Sequence, residues 1–184
     1  MNDHNAPGPD AAGNDRVLAV YDAAIRLAQR GYRVFPIRYG TKFPATTNGF
    51  HSATDDVQKV KAWFGGERLF NLALATGHQP NGLNLVVIDL DVKGQYNGIE
   101  SWEEVCGADG TDPYYNYPTH RTPSGGLHLF SNASVEVRCL TNFLPGVDVR
   151  GEGGYVLLPP SVIVDRSTGE INAYEAEGQG LEGG

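Results

Sequence analysis

The 184-residue chain is poor in cysteine and in positive charge, and it has no long apolar run. Its two cysteines, Cys106 and Cys139, stand far apart, and neither belongs to a C-x-x-C or a Cys/His cluster. A structural zinc site needs such a cluster, so no zinc is expected; the expectation is two free, buried thiols in a cytoplasmic protein. No apolar stretch approaches the roughly 18 residues needed to cross a bilayer, so no membrane partner is expected either. The opening MNDHNAPGPDAAGND has neither the basic nor the apolar block of a signal peptide. Lys and Arg number 14 against 22 Asp and Glu, a formal charge of −8. That balance argues against a protein that grips duplex nucleic acid by charge alone. Part of the acidic surplus, however, sits at the ends, in Asp3, Asp10 and Asp15 and in Glu170, Glu175, Glu177 and Glu182. The basic residues between them are free to gather on one face.

What is present is ordinary globular composition, with 40% hydrophobic and 20% charged residues. Residues 1–15 read as a disordered leader, 16–174 as one folded domain, and 175–184 as a linker or tail. Val17, Val20, Tyr21, Ala24, Ile25 and Ala28 recur at spacings of three and four, which predicts an amphipathic helix. Asn14 or Asp15 would cap it and Gly31 would stop it. YRVFPI reads as a short strand that Pro36 places at an edge. Thr54-Asp55-Asp56 would cap a second helix through Val57, Val60 and Trp63 to Gly65-Gly66. NLALATG and LVVID read as strands and GIESWEEVCG as a short helix. After them come HRT, LHLFS, VEVRCL, VDVRG, GYVLLPPS and EINAYE, strand-like segments separated by turn residues. The expected fold class is α+β, with helices and strands first and a mostly antiparallel sheet after them.

The chemistry concentrates in three of these segments. In VVIDLD, residues 86–91, a buried-looking strand ends in Asp89 and Asp91, although Asp is unfavourable in strands and costly to bury unpaired. Residues i and i+2 of a strand share a face about 6–7 Å apart, so the two carboxylates repel unless a cation lies between them. Oxygen-only ligands at this spacing suit Mg²⁺ or Mn²⁺. Taken alone, the pair reads equally well as a strand end and a turn cap. In LPGVDVRG, residues 144–151, a third carboxylate, Asp148, again sits among β-branched neighbours. Three carboxylates can hold two divalent ions about 3.5–4 Å apart, an arrangement that activates a hydroxyl and steadies a leaving pyrophosphate. In RTPSGGLHLF, residues 121–130, Ser124, Gly125 and Gly126 form a turn whose bare backbone N–H groups can approach an anion. His128 stands just inside the next strand. By itself this is an ordinary hairpin turn; beside three aspartates it suggests a nucleoside triphosphate site.

In this order the three segments resemble the N-terminal domain of the bifunctional DNA primase/polymerase (prim-pol) family of the archaeo-eukaryotic primase superfamily. That family has a D-x-D/E pair after a hydrophobic strand, a small-x-His motif and a later Asp in a hydrophobic setting. RGYRVFPI, KFP, NLALATG and GGYVLLPPS match around the motifs, and the resemblance spans roughly residues 16–174. It implies that Asp89, Asp91 and Asp148 are the catalytic metal ligands and that His128 contacts the incoming nucleotide's phosphates, with Ser124, Gly125 and Gly126 sharing that contact. It also implies a fold in which an N-terminal αβ unit packs on an RRM-like antiparallel unit, with the active site in the cleft between. Template-directed nucleotidyl transfer by a two-metal mechanism would follow, with single-stranded DNA template, primer and dNTP or NTP as partners. A helicase module follows in larger relatives. The setting implied is cytoplasmic DNA replication in a bacterium, plasmid or virus.

Three further residues are added from the sequence itself. Arg150 shares a strand face with Asp148 and so either meets the triphosphate or pairs with an aspartate. Arg121 and Lys42 are nucleotide-binding candidates, Lys42 the weaker. Removing Asp89 or Asp148 is expected to abolish activity and to leave stability unchanged or higher, because repulsion is relieved. Rival readings are a metal-dependent nuclease, a sugar-nucleotide transferase that would use D-x-D alone, and a primase-like binding module without activity.

Overall fold

The computed structural model describes residues 11–114, 117–177 and 181. Helix α1 (Ala11–Gln29) buries Val20, Ala24 and Ala28 of the predicted stripe, together with Ala23 and Leu27, which the stripe left out. It begins ahead of Arg16, so residues 11–15 are helical rather than leader, and neither Asn14 nor Asp15 is its cap. The Ala11-Ala12 pair favours helix and extends it past the first polar residues; residues 1–10 lie outside the described residues. Past its end Gly31 adopts φ +75 and donates its N–H to the Ala28 carbonyl at 2.9 Å, the left-handed stop that glycine tolerates.

Strand β1 (Val34–Arg38) is indeed an edge strand. Pro36 has no N–H to offer there, and its carbonyl accepts from Ala45 N. After a short 3₁₀ turn at Gly49–Ser52, helix α2 (Val57–Phe64) is capped by Asp56, whose carboxylate accepts from the N–H groups of Gln58 and Lys59. Strand β2 (Phe70–Ala75) follows, then β3 (Gly77–His78), β4 (Asn84–Leu90), and the small hairpin β5 (Val92–Lys93) and β6 (Tyr96–Asn97). Helix α3 (Gly98–Ala108) is the predicted GIESWEEVCG helix. Strands β7 (Thr119–Arg121) and β8 (Leu127–Asn132) form the hairpin around Ser124.

The predicted VEVRCL strand is displaced. Of its residues only Leu140 enters a strand, β9 (Leu140–Leu144), and within 135–139 only Arg138 makes a bridge, to Glu152. Val135 is exposed, so β propensity without a neighbouring strand does not suffice. Strands β10 (Val147–Arg150) and β11 (Tyr155–Leu158) lie as expected. β12 (Val162–Val164) was not foreseen, and EINAYE divides into β13 (Ile171–Ala173) and β14 (Glu175–Glu177). Tyr174 causes the division: its ring is buried and its N–H bonds the Ser161 carbonyl. Residues 175–177, expected in the tail, therefore belong to the sheet through β14, which pairs with β7. Residues 178–180 and 182–184 lie outside the described residues.

Two antiparallel sheets organise the chain: one of order β1-β2-β11, the other of order β14-β7-β8-β4-β10-β9, with β3 also on β4. Alternation along β4 assigns its two faces. Leu85 and Val87 pack with α1, α2 and the first sheet, while Leu90 packs with Leu127, Leu129 and Val147 under α3. Each such buried aliphatic contributes about 2 kcal/mol. Asp89 follows Val87 on the face toward the first sheet, at the strand's end, where the shared core gives way to a cleft. The chain is thus mixed α+β, and among the described residues no helix is long and apolar enough to cross a membrane. Both cysteines are free as expected, but not buried: Cys139 is exposed and Cys106 partly so.

Candidate active site

Sheet register brings the predicted residues together. Asp148 of β10 lies opposite Asp89 of β4, and Asp89 lies opposite His128 of β8. His128 in turn lies opposite His120 of β7. Residues directly opposite share a face, so one row crosses four strands as His120, His128, Asp89 and Asp148. Asp91 joins from just past β4. Its backbone is clamped, its N–H donating to Gly146 O and its carbonyl accepting from Gly98 N, both at 2.8 Å. A Cβ on Gly98 would sit 2.1 Å from Gly146 O, so glycine is required for that approach. Oxygens of Asp89, Asp91 and Asp148 lie within 4.8 Å of one another.

The three carboxylates are not equivalent. Burial pushes the Asp89 carboxyl up, but His128 and the Arg150 guanidinium outweigh it and hold the group below the usual carboxylate range. Arg150 reaches Asp89 Oδ2 at 3.1 Å and Asp148 Oδ2 at 2.8 Å, while Asn142 N donates to Asp148 Oδ1 at 2.8 Å. His128 Nε2 lies 3.4 Å from Asp89 Oδ1. Asp91 has no hydrogen-bond partner for its carboxylate among the described residues; burial and then the charge of Asp89 raise it, with Lys42 opposing and Asp148 adding. An unpaired carboxylate beside two others, all oxygen donors, suits a hard divalent cation.

The remaining candidates separate. Lys42 lines the same cleft as Asp89, His128 and Arg150, a cavity of about 440 Å³ whose apolar wall includes Phe50, Tyr155 and Tyr174. Its loop is held there by Tyr155 Oη on the Lys42 carbonyl (3.1 Å) and by Asn71 Nδ2 on the Thr41 carbonyl (3.0 Å). Of the two readings of Arg150, pairing with aspartates is what the structure has, with the residue at the cleft wall. Arg121 does not line this cleft. It neighbours His120 on β7 and therefore faces the opposite side of the sheet, where it pairs with exposed Glu177.

The turn residues also differ from expectation. Ser124 and Gly125 are exposed at the tip, and Gly125 has φ +85. Gly126 is buried, and a Cβ there would stand 2.1 Å from the Leu90 carbonyl. Its bareness thus serves the packing of β8 on β4 directly behind the aspartates.

Sequence reading passed over His120, Asn142, Gly98, Gly146 and Tyr174. His120 was within reach, because a hairpin centred on Ser124 puts it opposite His128. Its side chain is buried with Nδ1 unpartnered, and burial, then the neighbouring His128, lower it to about 4. The folded state therefore keeps His120 neutral while the unfolded chain takes up a proton near 6.5. This contribution to stability is present above pH 6.5 and is lost as pH falls toward 4. At about 1.4 kcal/mol per unit, the wild type should lose about 2 kcal/mol between pH 7 and pH 5 from this residue. Thermal melts of wild type and His120→Leu at both pH values check it; equal pH losses in the two proteins would contradict the assignment.

A family model described as the bifunctional DNA primase/polymerase N-terminal domain, Prim-Pol, matches residues 24–179. The chain belongs to the Prim-Pol family. Membership implies DNA primase or polymerase activity in general, and the acidic cluster of this Prim-Pol chain is one that could bind a metal. No curated protein matches it.

Proposed function

We propose that this Prim-Pol domain is a template-directed nucleotidyltransferase that makes or extends primers in DNA replication at the Asp89–Asp91–Asp148 cluster. The observation that carries the reading is the convergence of three carboxylates, within 4.8 Å of one another, at the rim of a cavity that also holds Lys42, His128 and Arg150. Asp89, Asp91 and Asp148 would hold Mg²⁺ or Mn²⁺, two ions in the reading we favour. Such ions make a 3′-hydroxyl more acidic and neutralise a departing pyrophosphate.

The chain's own residues do the rest. Lys42 and Arg150 supply positive charge where the triphosphate would lie, and His128 offers a ring N–H beside Asp89 for a phosphate oxygen. Arg150 also holds Asp89 and Asp148 in place, so that the cluster is positioned in advance. Phe50 and Tyr155 give the nucleoside an apolar wall. Ser124 stands as an outer phosphate contact, while the Gly125 N–H is taken up by the Thr122 carbonyl at 2.9 Å. We read the first sheet with α1 and α2 as the N-terminal αβ unit, and the second sheet with α3 as the RRM-like unit. The domain limits 16–174 become 11–177 in this reading. Template, primer and dNTP or NTP are the partners proposed, in a cytoplasmic replication setting, with a helicase module as a candidate neighbour.

A nuclease would cut DNA in Mg²⁺ without nucleotides, and a sugar-nucleotide transferase has no use for His128 or Asp148. Primer extension on a single-stranded template, with Mg²⁺ or Mn²⁺ and with dNTPs or NTPs, tests the reading. Wild type should extend. His128→Ala should raise the apparent KM for nucleotide by about tenfold, the loss of one charge-assisted contact of about 1.5 kcal/mol. Wild type that degrades the primer, or His128→Ala with unchanged KM and rate, would count against it.

A further inference from the structure

A second hollow opens on the other side of the carboxylates. It measures about 560 Å³ and is bounded by Asp91, Lys93, Tyr96, Asn142 and Gly146 between the β5–β6 hairpin and β9. It continues into a hollow of about 420 Å³ that shares Tyr96, Asn142 and Gly146 and ends at Phe143 and Pro145. The cluster thus divides two cavities, Asp89 lining one and Asp91 the other. We propose that this groove receives the 3′ end of a nucleic-acid strand, the one that presents the attacking hydroxyl, and that Tyr96 and Phe143 are its base-stacking walls. The proposal rests on the nucleotidyltransferase reading and adds the place of the second substrate.

Phosphoryl transfer sets the direction. The attacking and leaving oxygens lie roughly in line on opposite sides of the phosphorus. The 3′-oxygen forms a bond to the α-phosphorus as the bond to pyrophosphate breaks, and the hydroxyl proton leaves to solvent. Lys42, His128 and Arg150 all stand on the Asp89 side, the side that suits pyrophosphate. The attacking hydroxyl must then come from the Asp91 side.

The groove suits a strand end in its chemistry. Tyr96 is 53% exposed and Phe143 is 52% exposed, and both line the same hollow, so a flat apolar group entering it would cover both rings. Nucleobases stack on such rings with little regard to sequence, as a general polymerase requires. The charged groups among the lining residues are Asp91 and Lys93, so a cation is at hand for a backbone phosphate. Asn142 ties groove to cluster. It is the only non-glycine with positive φ among the described residues, at +54, and its N–H holds Asp148. Strained backbone at such a place is characteristic of working sites.

The test compares wild type with Tyr96→Ala/Phe143→Ala, and with Tyr96→Phe/Phe143→Tyr as the conservative control. Two affinities are measured: a 5′-labelled primer–template by anisotropy, and a fluorescent dATP analogue with Mn²⁺. The alanine pair should raise the primer–template Kd about tenfold or more and leave the nucleotide Kd within about twofold, while the control behaves as wild type. Both pairs are at exposed positions, and equal melting temperatures exclude misfolding. A primer carrying 5-iododeoxyuridine at its 3′ terminus should photocrosslink to Tyr96 or Phe143. An unchanged primer Kd, or crosslinks to Phe50 or Tyr155 in the opposite cleft, would overturn the groove assignment while leaving the transferase reading intact. A wild type that neither binds nor extends the primer overturns both.

Discussion

Asp91→Asn should lower nucleotide incorporation by roughly 10²–10³-fold, the scale of losing one electrostatic stabiliser of a transition state, while leaving the metal-free protein as stable as wild type or more so. The sign follows from its surroundings. Burial and the Asp89 charge raise the Asp91 carboxyl, so its ionised form is the disfavoured one in the folded state, and this penalty applies at all pH above its ordinary titration range. Asparagine removes the charge, keeps the shape and costs no partner. The same logic gives the opposite sign at Asp89 and Asp148. From sequence, their removal looked neutral or stabilising because repulsion would be relieved. In the structure both are paired with Arg150, and Asp89 also faces His128. Alanine at either position removes one of the two carboxylates that hold Arg150 and leaves the half-buried guanidinium on the other alone, at a cost of about 2 kcal/mol. Melting curves in EDTA and single-turnover extension rates separate the three variants. An Asp91→Asn protein that extends primers at the wild-type rate, or that melts well below wild type in EDTA, would contradict this account.

Gly126→Ala should be the most damaging single methyl group in the β7–β8 turn. The added carbon would stand 2.1 Å from the Leu90 carbonyl, so backbone must move, and the strand that moves is the one carrying Asp89. Overpacking of this kind costs about 3 kcal/mol, or about 6–12 °C in Tm for a chain of this size, and activity should fall with it. Its neighbour gives the control. Gly125 has φ +85 but nothing within 4 Å of an added carbon, so Gly125→Ala should cost only the left-handed strain of about 1–2 kcal/mol. Circular-dichroism melts of both variants decide. A Gly126→Ala protein as stable as Gly125→Ala would mean that the close approach of Gly126 to the Leu90 carbonyl does not limit the packing of β8 on β4.

The aspartates were legible because strand alternation is local: two residues apart in VVIDLD already means one face. The β-formers around Asp148 likewise announced a strand. What could not be read was pairing at long range. That Asp148 lies against Asp89, and that Arg150 bridges them, depends on β10 choosing β4, which no nearby residue specifies. Arg121 is a different failure, since the rule that selected Asp89 with Asp91 also sets Arg121 opposite to His120, and His128 pointed to His120 through the hairpin. Gly98 and Gly146 were silent because a glycine needed for close backbone approach looks in sequence like any turn glycine. The VEVRCL segment shows the limit of propensity: valines make a strand only where another strand has a free edge for them. The ends were misjudged for a related reason. Polar composition suggested leader and tail, but Ala11-Ala12 extends α1 and β7 offers β14 an edge.

The account stands or falls on the cluster of Asp89, Asp91 and Asp148 being a divalent-cation site tied to nucleotide. The direct measurement is Mn²⁺ binding by electron paramagnetic resonance, in wild type and Asp91→Asn, with and without a dNTP. The account predicts that wild type binds Mn²⁺, more tightly when nucleotide is present, and that Asp91→Asn loses most of that binding while remaining folded. Equal Mn²⁺ binding by the two proteins, or binding indifferent to nucleotide, would contradict it.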